Sequence, residues 1–536
     1  MQLMKGQMSE SSKQIMKAAT VVMLLFIISR LLGLVRQMTI GALFGTSGDL
    51  DAYLAAARVS ETVFLVITGG ALGSAFIPTF ADHLAKEDFA GAWRLASAIV
   101  NLALVALTTV TLLIAILAPT LVRTVLAPGF TSPQQILTVD LLRLMLVSPI
   151  IFGVSGIVMG ALNAHQHFLM PALAPSAYNL SIIGGALLLG PRLGVRGIAI
   201  GVVVGSVLHL LVQIPELLRH GTHYTLTLGL DTPGVREVGR LMAPRMLGTA
   251  IVQLNFIVNI SLASRLGKGA VSAINYAWLL MLLPQGVFAQ ALGTAAFPTF
   301  AEQAAQGKTT EMQGALSATL RGIFFLCLPA TVGLLVLSRP LVALLFERGA
   351  FEATSTKAVA WALIFYTLGL MGHAGLEIVA RAFYALHDTF TPVWVGGLAM
   401  AINVALSLTL PWVFEFVNWP SHAGLALASS IAALLELAIL LKLIQGRLGG
   451  LERQRILLAS IKSSLAALGM GAILLWWRAA LSNAGALIVG GGGVLLGTAL
   501  YLLLAILLRV ESASSILQAV RMNLSPDTEF METSGK

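Results

Sequence analysis

Apolar residues along this chain do not alternate with polar ones; they run together. Stretches of about twenty or more, the length a helix needs to cross the hydrocarbon core of a bilayer, recur from one end to the other between short polar connections. The pattern predicts helical spans near residues 16–43, 50–80, 93–122, 136–162, 168–190, 195–217, 238–264, 270–300, 312–337, 355–384, 390–413, 422–444, 456–478 and 484–509, about fourteen in all. A membrane β-barrel would show segments of about ten residues with strict alternation instead. The expected fold class is an all-α polytopic membrane protein.

The runs also repeat. Ala71-Leu-Gly-Ser-Ala-Phe-Ile-Pro78-Thr-Phe-Ala81 returns as Ala291-Leu-Gly-Thr-Ala-Ala-Phe-Pro298-Thr-Phe-Ala301. Nearly the same offset aligns Pro119-Thr-Leu-Val122 with Arg339-Pro-Leu-Val342, Phe130 with Phe351, and Ala164 and Pro171 with Ala385 and Pro392. Internal symmetry of this kind marks transporter folds. Six spans per half is an even number, so both halves insert with the same orientation, and a cavity is expected between them. The predicted organisation is a six-helix lobe over 1–220, a second over 236–445, two added spans over 455–510 and a cytoplasmic tail over 511–536.

Composition narrows the class. The chain has 536 residues, 57% hydrophobic and 11% charged, with a mean hydropathy of +0.88, too little charge to coat a water-soluble protein of this size. The one cysteine, Cys327, excludes an internal disulfide and a CxxC metal site. The net charge of +9 is scattered at the ends of apolar runs and lacks interleaved aromatics, which suits lipid headgroups and not nucleic acid. Lys5, Lys13 and Lys17 precede the first span, Arg219, Arg236 and Arg240 follow the sixth, and Lys442, Arg447, Arg453 and Arg455 follow the twelfth. All three clusters fall on one side, which places both termini in the cytoplasm, although Arg339, Arg348 and Lys357 lie on the other. The N-terminal apolar stretch runs into Ser29-Arg30 with no cleavage pattern of a signal peptide.

Charges within spans are costly, so they face a cavity or a partner. Ser29, Gly33 and Arg36 form one stripe of the first span, with Arg30 beside it. The second span starts at Asp51 and carries Arg58 and Glu61 on one face. The seventh carries Arg245, and the tenth carries His373, Glu377 and Arg381 at intervals of four. Two readings stand open for each. Arg58 with Glu61, and Glu377 with Arg381, either pair internally or serve a ligand. Arg36 and Arg245 either snorkel to headgroups or present guanidinium forks to a phosphate or pyrophosphate. The second reading gains from Arg36 and Arg245 lying in the first helix of each half. Asp82 and Glu302 are repeat-related but sit at helix exits, as caps or loop charges. His165 and His167 form an HxH with no acidic or cysteine ligand nearby in the chain, so no metal site is expected there. No phosphate-binding loop of the GxxxxGK[ST] type occurs. No cofactor is expected, and the chain reads as a non-enzyme.

The segments SRLLGLVRQMTIGALFG (29–45), DAYLAAARV (51–59), GGALGSAFIPTFA (69–81), APGF (127–130), GALNAHQHFLMPALAPSAYN (160–179), QALGTAAFPTFAEQ (290–303) and ARAFYALHDTFTP (380–392) together resemble the MurJ (MviN) family. That family belongs to the multidrug/oligosaccharidyl-lipid/polysaccharide exporter superfamily. The resemblance implies a flippase for lipid II, the polyprenyl-pyrophosphate-linked peptidoglycan precursor, in the inner membrane. It implies fourteen helices, with two six-helix lobes around a cationic cavity and two helices forming a lipid-tail groove. It also implies that Ser29, Arg30, Arg36 and Asp51 are functional. Lipid II and membrane lipids are the implied partners, with other cell-wall synthesis proteins as further candidates. Three departures stand out: Gln37 replaces an acidic residue, Ser60-Glu61 stands where arginines are usual, and Tyr276-Ala-Trp278-Leu279 lacks the eighth helix's arginine and glutamate. Arg58, Arg245 and Arg265 are candidate substitutes. The competing readings are an exporter of the same fold for another polyprenyl-linked glycan or amphipathic drugs, and a membrane glycosyltransferase. The latter needs a loop-borne acidic site that the longest polar connection, about 216–240, does not carry.

Overall fold

A computed structural model describes residues 10–67, 76–230 and 232–513, with the side chains at 10–19, 233, 243–245 and 247 outside that description. Every regular element in it is helical. In chain order these are α1 (Glu10–Phe44), α2 (Gly48–Ile67), α3 (Ile77–Ala85), α4 (Phe89–Leu121), α5 (Ser132–Met145), α6 (Val147–Ala164), α7 (Leu169–Gly184), α8 (Gly190–Leu193), α9 (Val195–Leu211) and α10 (Ile214–Arg219). The chain continues through α11 (Pro233–Ser264), α12 (Ala270–Pro284), α13 (Gln290–Ala305), α14 (Thr309–Phe346) and α15 (Ala353–Leu368). It closes with α16 (Leu370–Ala385), α17 (Phe390–Phe416), α18 (Ser421–Leu448), α19 (Arg453–Ala480) and α20 (Gly493–Leu507).

Among the described residues, 11 stretches are long and apolar enough to span a bilayer, or 12 if α15 and α16, bent by 45° at Gly369, count as one. This is fewer than the fourteen expected. The second and seventh expected spans, 50–80 and 238–264, take in residues outside that description at 68–75, 243–245 and 247, and α2 itself carries Asp49, Asp51, Arg58 and Glu61. Those two spans hold much of the candidate chemistry.

The chain forms two compact units, Met1–Ser272 with Arg348–Glu352, and Ala273–Glu347 with Ala353–Lys536. Two packing relations locate the expected elements within these units. Helix α11, read as the start of the second half, packs in the first unit, because Val235 and Val238 are buried in one core with Phe80, Trp93 and Ile99. Helices α19 and α20, read as a separate addition, are built into the second unit. Met470, Leu474 and Tyr501 share a core with Phe325 and Leu337 of α14, and the Tyr501 hydroxyl donates to the Phe325 carbonyl at 2.7 Å.

Small residues let helices approach closely where lipid offers no hydrophobic driving force between them. Gly201 and Gly205 of α9 face α7 and Gly197 faces the 185–190 segment that follows it; a Cβ on Gly201 would stand 2.9 Å from the Ser181 carbonyl. In the second unit, a Cβ on Gly372 of α16 would meet the Ala433 backbone of α18 at 2.9 Å.

The repeat is also visible in turn geometry. Helix α6 ends with His167 N donating to Leu162 O and Gln166 N to Asn163 O, and Gln166 is left-handed at φ 60°. Helix α16 ends with Asp388 N on Phe383 O and His387 N on Tyr384 O, with His387 at φ 58°. This is one C-terminal helix-stop motif at corresponding positions, and both times a non-glycine residue accepts the left-handed conformation. The first five residues of the first copy of the ALGxAxxPTFA motif, 71–75, lie outside the described residues.

Candidate functional site

The first unit holds the stripe read from α1. Ser29 and Gly33 turn toward α7: Asn179 Nδ2 donates to the Ser29 carbonyl at 3.3 Å, and a Cβ on Gly33 would stand 4.0 Å from the same nitrogen. One turn further along, Arg36 and Glu61 lie within electrostatic reach of the Tyr53 and Tyr178 phenols. Arg36 Nε is closed off from solvent and makes no hydrogen bond. Arg30 is exposed, off the stripe, as the helical spacing required.

Arg58 adopts the internal pairing. Its Nη1 lies 3.3 Å from Glu61 Oε2, and the guanidinium stacks over the Phe256 ring of α11 at 4.7 Å from the centroid. The cation is thereby held on an aromatic face with its acidic partner more than half exposed.

Asp51, expected among the substrate contacts, has another placement. It is fully buried, and its two carboxylate oxygens accept the backbone N–H groups of Gly269 at 2.6 Å and Ser272 at 2.7 Å. These amides head α12, whose first four N–H groups have no partner within the helix. Asp51 is a structural clamp. Asp51→Ala should strand two buried amides, at a cost of about 2–4 kcal/mol. The expected result is a lower unfolding temperature of the purified protein and reduced membrane abundance, with transport per molecule preserved.

The second unit contains a cavity of about 600 Å³ lined by Gln285, Phe297, His373, Glu377, Arg381 and Tyr384, among others. The i, i+4 spacing on α16 stacks His373, Glu377 and Arg381 on one wall, as read from the sequence. Arg381 Nη2 pairs with Glu377 Oε1 at 2.8 Å. Three polar atoms of this lining, Gln285 Oε1, His373 Nε2 and Arg381 Nη1, are shielded from solvent without a hydrogen-bond partner. Gly293 of α13 makes room for the guanidinium, since a Cβ there would fall 1.7 Å from Arg381 Nη1. The segment lacking the family's arginine and glutamate fills its place with aromatic surface: Trp278 packs edge-on against His373 at 5.2 Å and Tyr366 at 5.3 Å.

Arg245 lies on α11 in the first unit, and its side chain falls outside the described residues. The HxH turn is not isolated, because the fold brings Glu216 and His220 to His167. Tyr178, Asn179, Gln285 and Gly293 were not singled out from sequence. Asn179 and Gly293 lay inside the recognised motifs, but only contact with an arginine-bearing helix gives them a role. Just before the α19 span, Glu452 accepts from the guanidinium of Arg321 of α14 at 2.7 Å, which holds its carboxyl below the usual range.

Two helical units that share a repeated turn, with membrane-length apolar helices and a few shielded charges within them, define a polytopic α-helical membrane protein. Solved structures agree at the level of fold: an inward-facing multidrug exporter of the MATE family superposes with a TM-score of 0.65 at 16% identity, covering 80% of this chain and 98% of that one. A structure described as lipid II flippase MurJ in an inward closed conformation superposes with a TM-score of 0.77 at 26% identity, covering 91% and 99%. The family model described as lipid II flippase MurJ matches residues 40–490, so the chain belongs to that family. Among curated relatives, the lipid II flippase MurJ of Burkholderia cenocepacia is 32% identical over 422 residues, 77% of this chain and 80% of the relative. The probable lipid II flippase MurJ of Vibrio cholerae is 28% identical over 491 residues, 89% of each.

Proposed function

We propose that this protein flips lipid II across the bacterial cytoplasmic membrane by alternating access, without covalent chemistry on its substrate. The observation that carries this reading is Arg36: a guanidinium with a shielded, unpartnered nitrogen in a membrane-length helix suits a pyrophosphate more than a structural role. Arg381, half-paired in the cavity of the second unit, is the corresponding anchor there and takes the part that sequence reasoning assigned to Arg245. Ser29, Arg30, Arg58 and Arg245 contribute polarity and positive charge along the headgroup path. The family's name for its substrate supports the assignment. So does the pairing of Glu61 and Glu377 with arginines: an exporter of cationic drugs is better served by carboxylates free of cations.

Complementation tests the reading. Expression in a bacterium conditionally depleted of its own flippase should restore growth and the appearance of lipid II on the outer leaflet. Growth failure with normal membrane abundance would favour an exporter of another polyprenyl-linked glycan. The basic clusters around α1, α10 and α18 further support a topology with both termini in the cytoplasm. A reporter fused after Lys536 that is active only when exported should therefore stay silent, and its activity would reverse the topology.

A further inference from the structure

The turn after α6 carries His165 and His167, and 49 residues later α10 and its cap carry Glu216 and His220, four apart. Folding brings these two stretches together on the first unit, at the C-terminal end of the Val195–Arg219 span. His167 Nδ1 lies 3.1 Å from Glu216 Oε1, and His220 Nε2 lies 3.5 Å from the same oxygen. One ligand-type atom from each of the three residues falls within 4.8 Å of the others.

We infer that His167 Nδ1, Glu216 Oε1 and His220 Nε2 form a binding site for a divalent transition ion of the Zn²⁺ class, with a fourth position open to solvent. Four considerations carry this. The first is spacing: ligand atoms about 2.0–2.1 Å from a tetrahedral zinc ion stand about 3.3–3.4 Å from one another, close to the 3.1 and 3.5 Å that separate the two imidazole nitrogens from Glu216 Oε1. The second is the donor set, since two imidazoles and a carboxylate are the His₂Glu combination of open zinc sites, while Mg²⁺ and Ca²⁺ prefer oxygen alone.

The third is an orphan. An ordinary hydrogen bond accounts for His167 on Glu216, but His220 Nε2 is shielded from solvent and makes no hydrogen bond. A metal ion would satisfy it. The fourth is support from behind the ligands. The His165 ring stacks on His220 at 4.6 Å and on Trp93 at 6.0 Å, which fixes the His220 plane. Arg219 holds the second oxygen of Glu216 at 3.1 Å, leaving Oε1 for the ion. Such outer contacts orient the ligands of metal sites. His167 is about half exposed, so the ion has an entry path. Bound there, it would pin α10, from which the chain leaves toward α11, to the α6–α7 turn.

The test uses the full-length chain without a histidine tag, purified in detergent and stripped with chelator. Titration with Zn²⁺ against a chromophoric competitor should show one ion per chain at micromolar affinity or tighter, undisturbed by millimolar Mg²⁺. Glu216→Gln and the double variant His167→Asn/His220→Asn should each weaken that binding by more than about tenfold, while His83→Gln, at the separate His83–Asp88 pair, should not change it. Co²⁺ bound to the unmodified chain should give the visible absorption of a tetrahedral or five-coordinate nitrogen–oxygen site, a readout independent of whether the variants fold. Absence of stoichiometric zinc would overturn the proposal. So would unchanged affinity in well-folded Glu216→Gln protein, or a cobalt spectrum of octahedral, water-dominated form.

Discussion

Arg36→Ala should abolish flipping while the protein still inserts and accumulates. The substitution removes a charge-assisted, two-pronged donor from a weakly screened site, a loss of about 2–3 kcal/mol and roughly 30- to 150-fold in transport. Because Arg36 Nε makes no hydrogen bond among the described residues, its removal breaks no internal contact through that atom. Stability should therefore hardly change. Arg36→Lys should recover only part of the activity, since an ammonium supplies charge but no planar fork. The measurement is lipid II appearance on the outer leaflet, normalised to membrane abundance. Full activity of the alanine variant would move Arg36 to the class of headgroup-level arginines.

The second large effect is expected at a residue that carries no charge. Gly293→Ala places a methyl group where Arg381 Nη1 now lies, 1.7 Å from the new Cβ. The guanidinium must leave that position, and its pairing with Glu377 must shift with it. If Arg381 anchors the headgroup in the second unit, Gly293→Ala and Arg381→Ala should each lower transport by about tenfold to a hundredfold. The two changes together should do no more than the Arg381 change alone, because they act on one group. A helix-interior glycine-to-alanine change otherwise stabilises by about 0.5–1 kcal/mol, so poor folding is not the expected route to loss. Additive losses would mean that Gly293 serves α13 packing and not Arg381. Normal transport by Arg381→Ala, with loss on Arg245→Glu, would return the anchor role to Arg245.

The chain's own order of residues determined a good deal about this protein. Unbroken apolar runs admit only helices in a bilayer, because every backbone N–H and C=O must be satisfied within its own segment. The repeat followed from matched landmarks, and the shared left-handed turn at Gln166 and His387 supplies its backbone counterpart. The Ser29–Gly33–Arg36 stripe and the His373–Glu377–Arg381 wall followed from helical spacing alone, since residues three and four apart on a helix share a face whatever surrounds it. What spacing could not say is what each face meets. Only the tertiary structure turned Asp51 into a clamp on backbone amides 218 and 221 residues away, and settled Arg58 on its neighbour Glu61 and the Phe256 ring. It alone assigned α11 to the first unit, joined Gly293 to Arg381, and carried Glu216 and His220 to a histidine some fifty residues earlier. The physical reason is the range of the forces involved. Helix formation and bilayer insertion are decided within about twenty residues, whereas an ion pair, a metal site or a close glycine contact depends on which helices pack together, and a single chain records that only after it has folded.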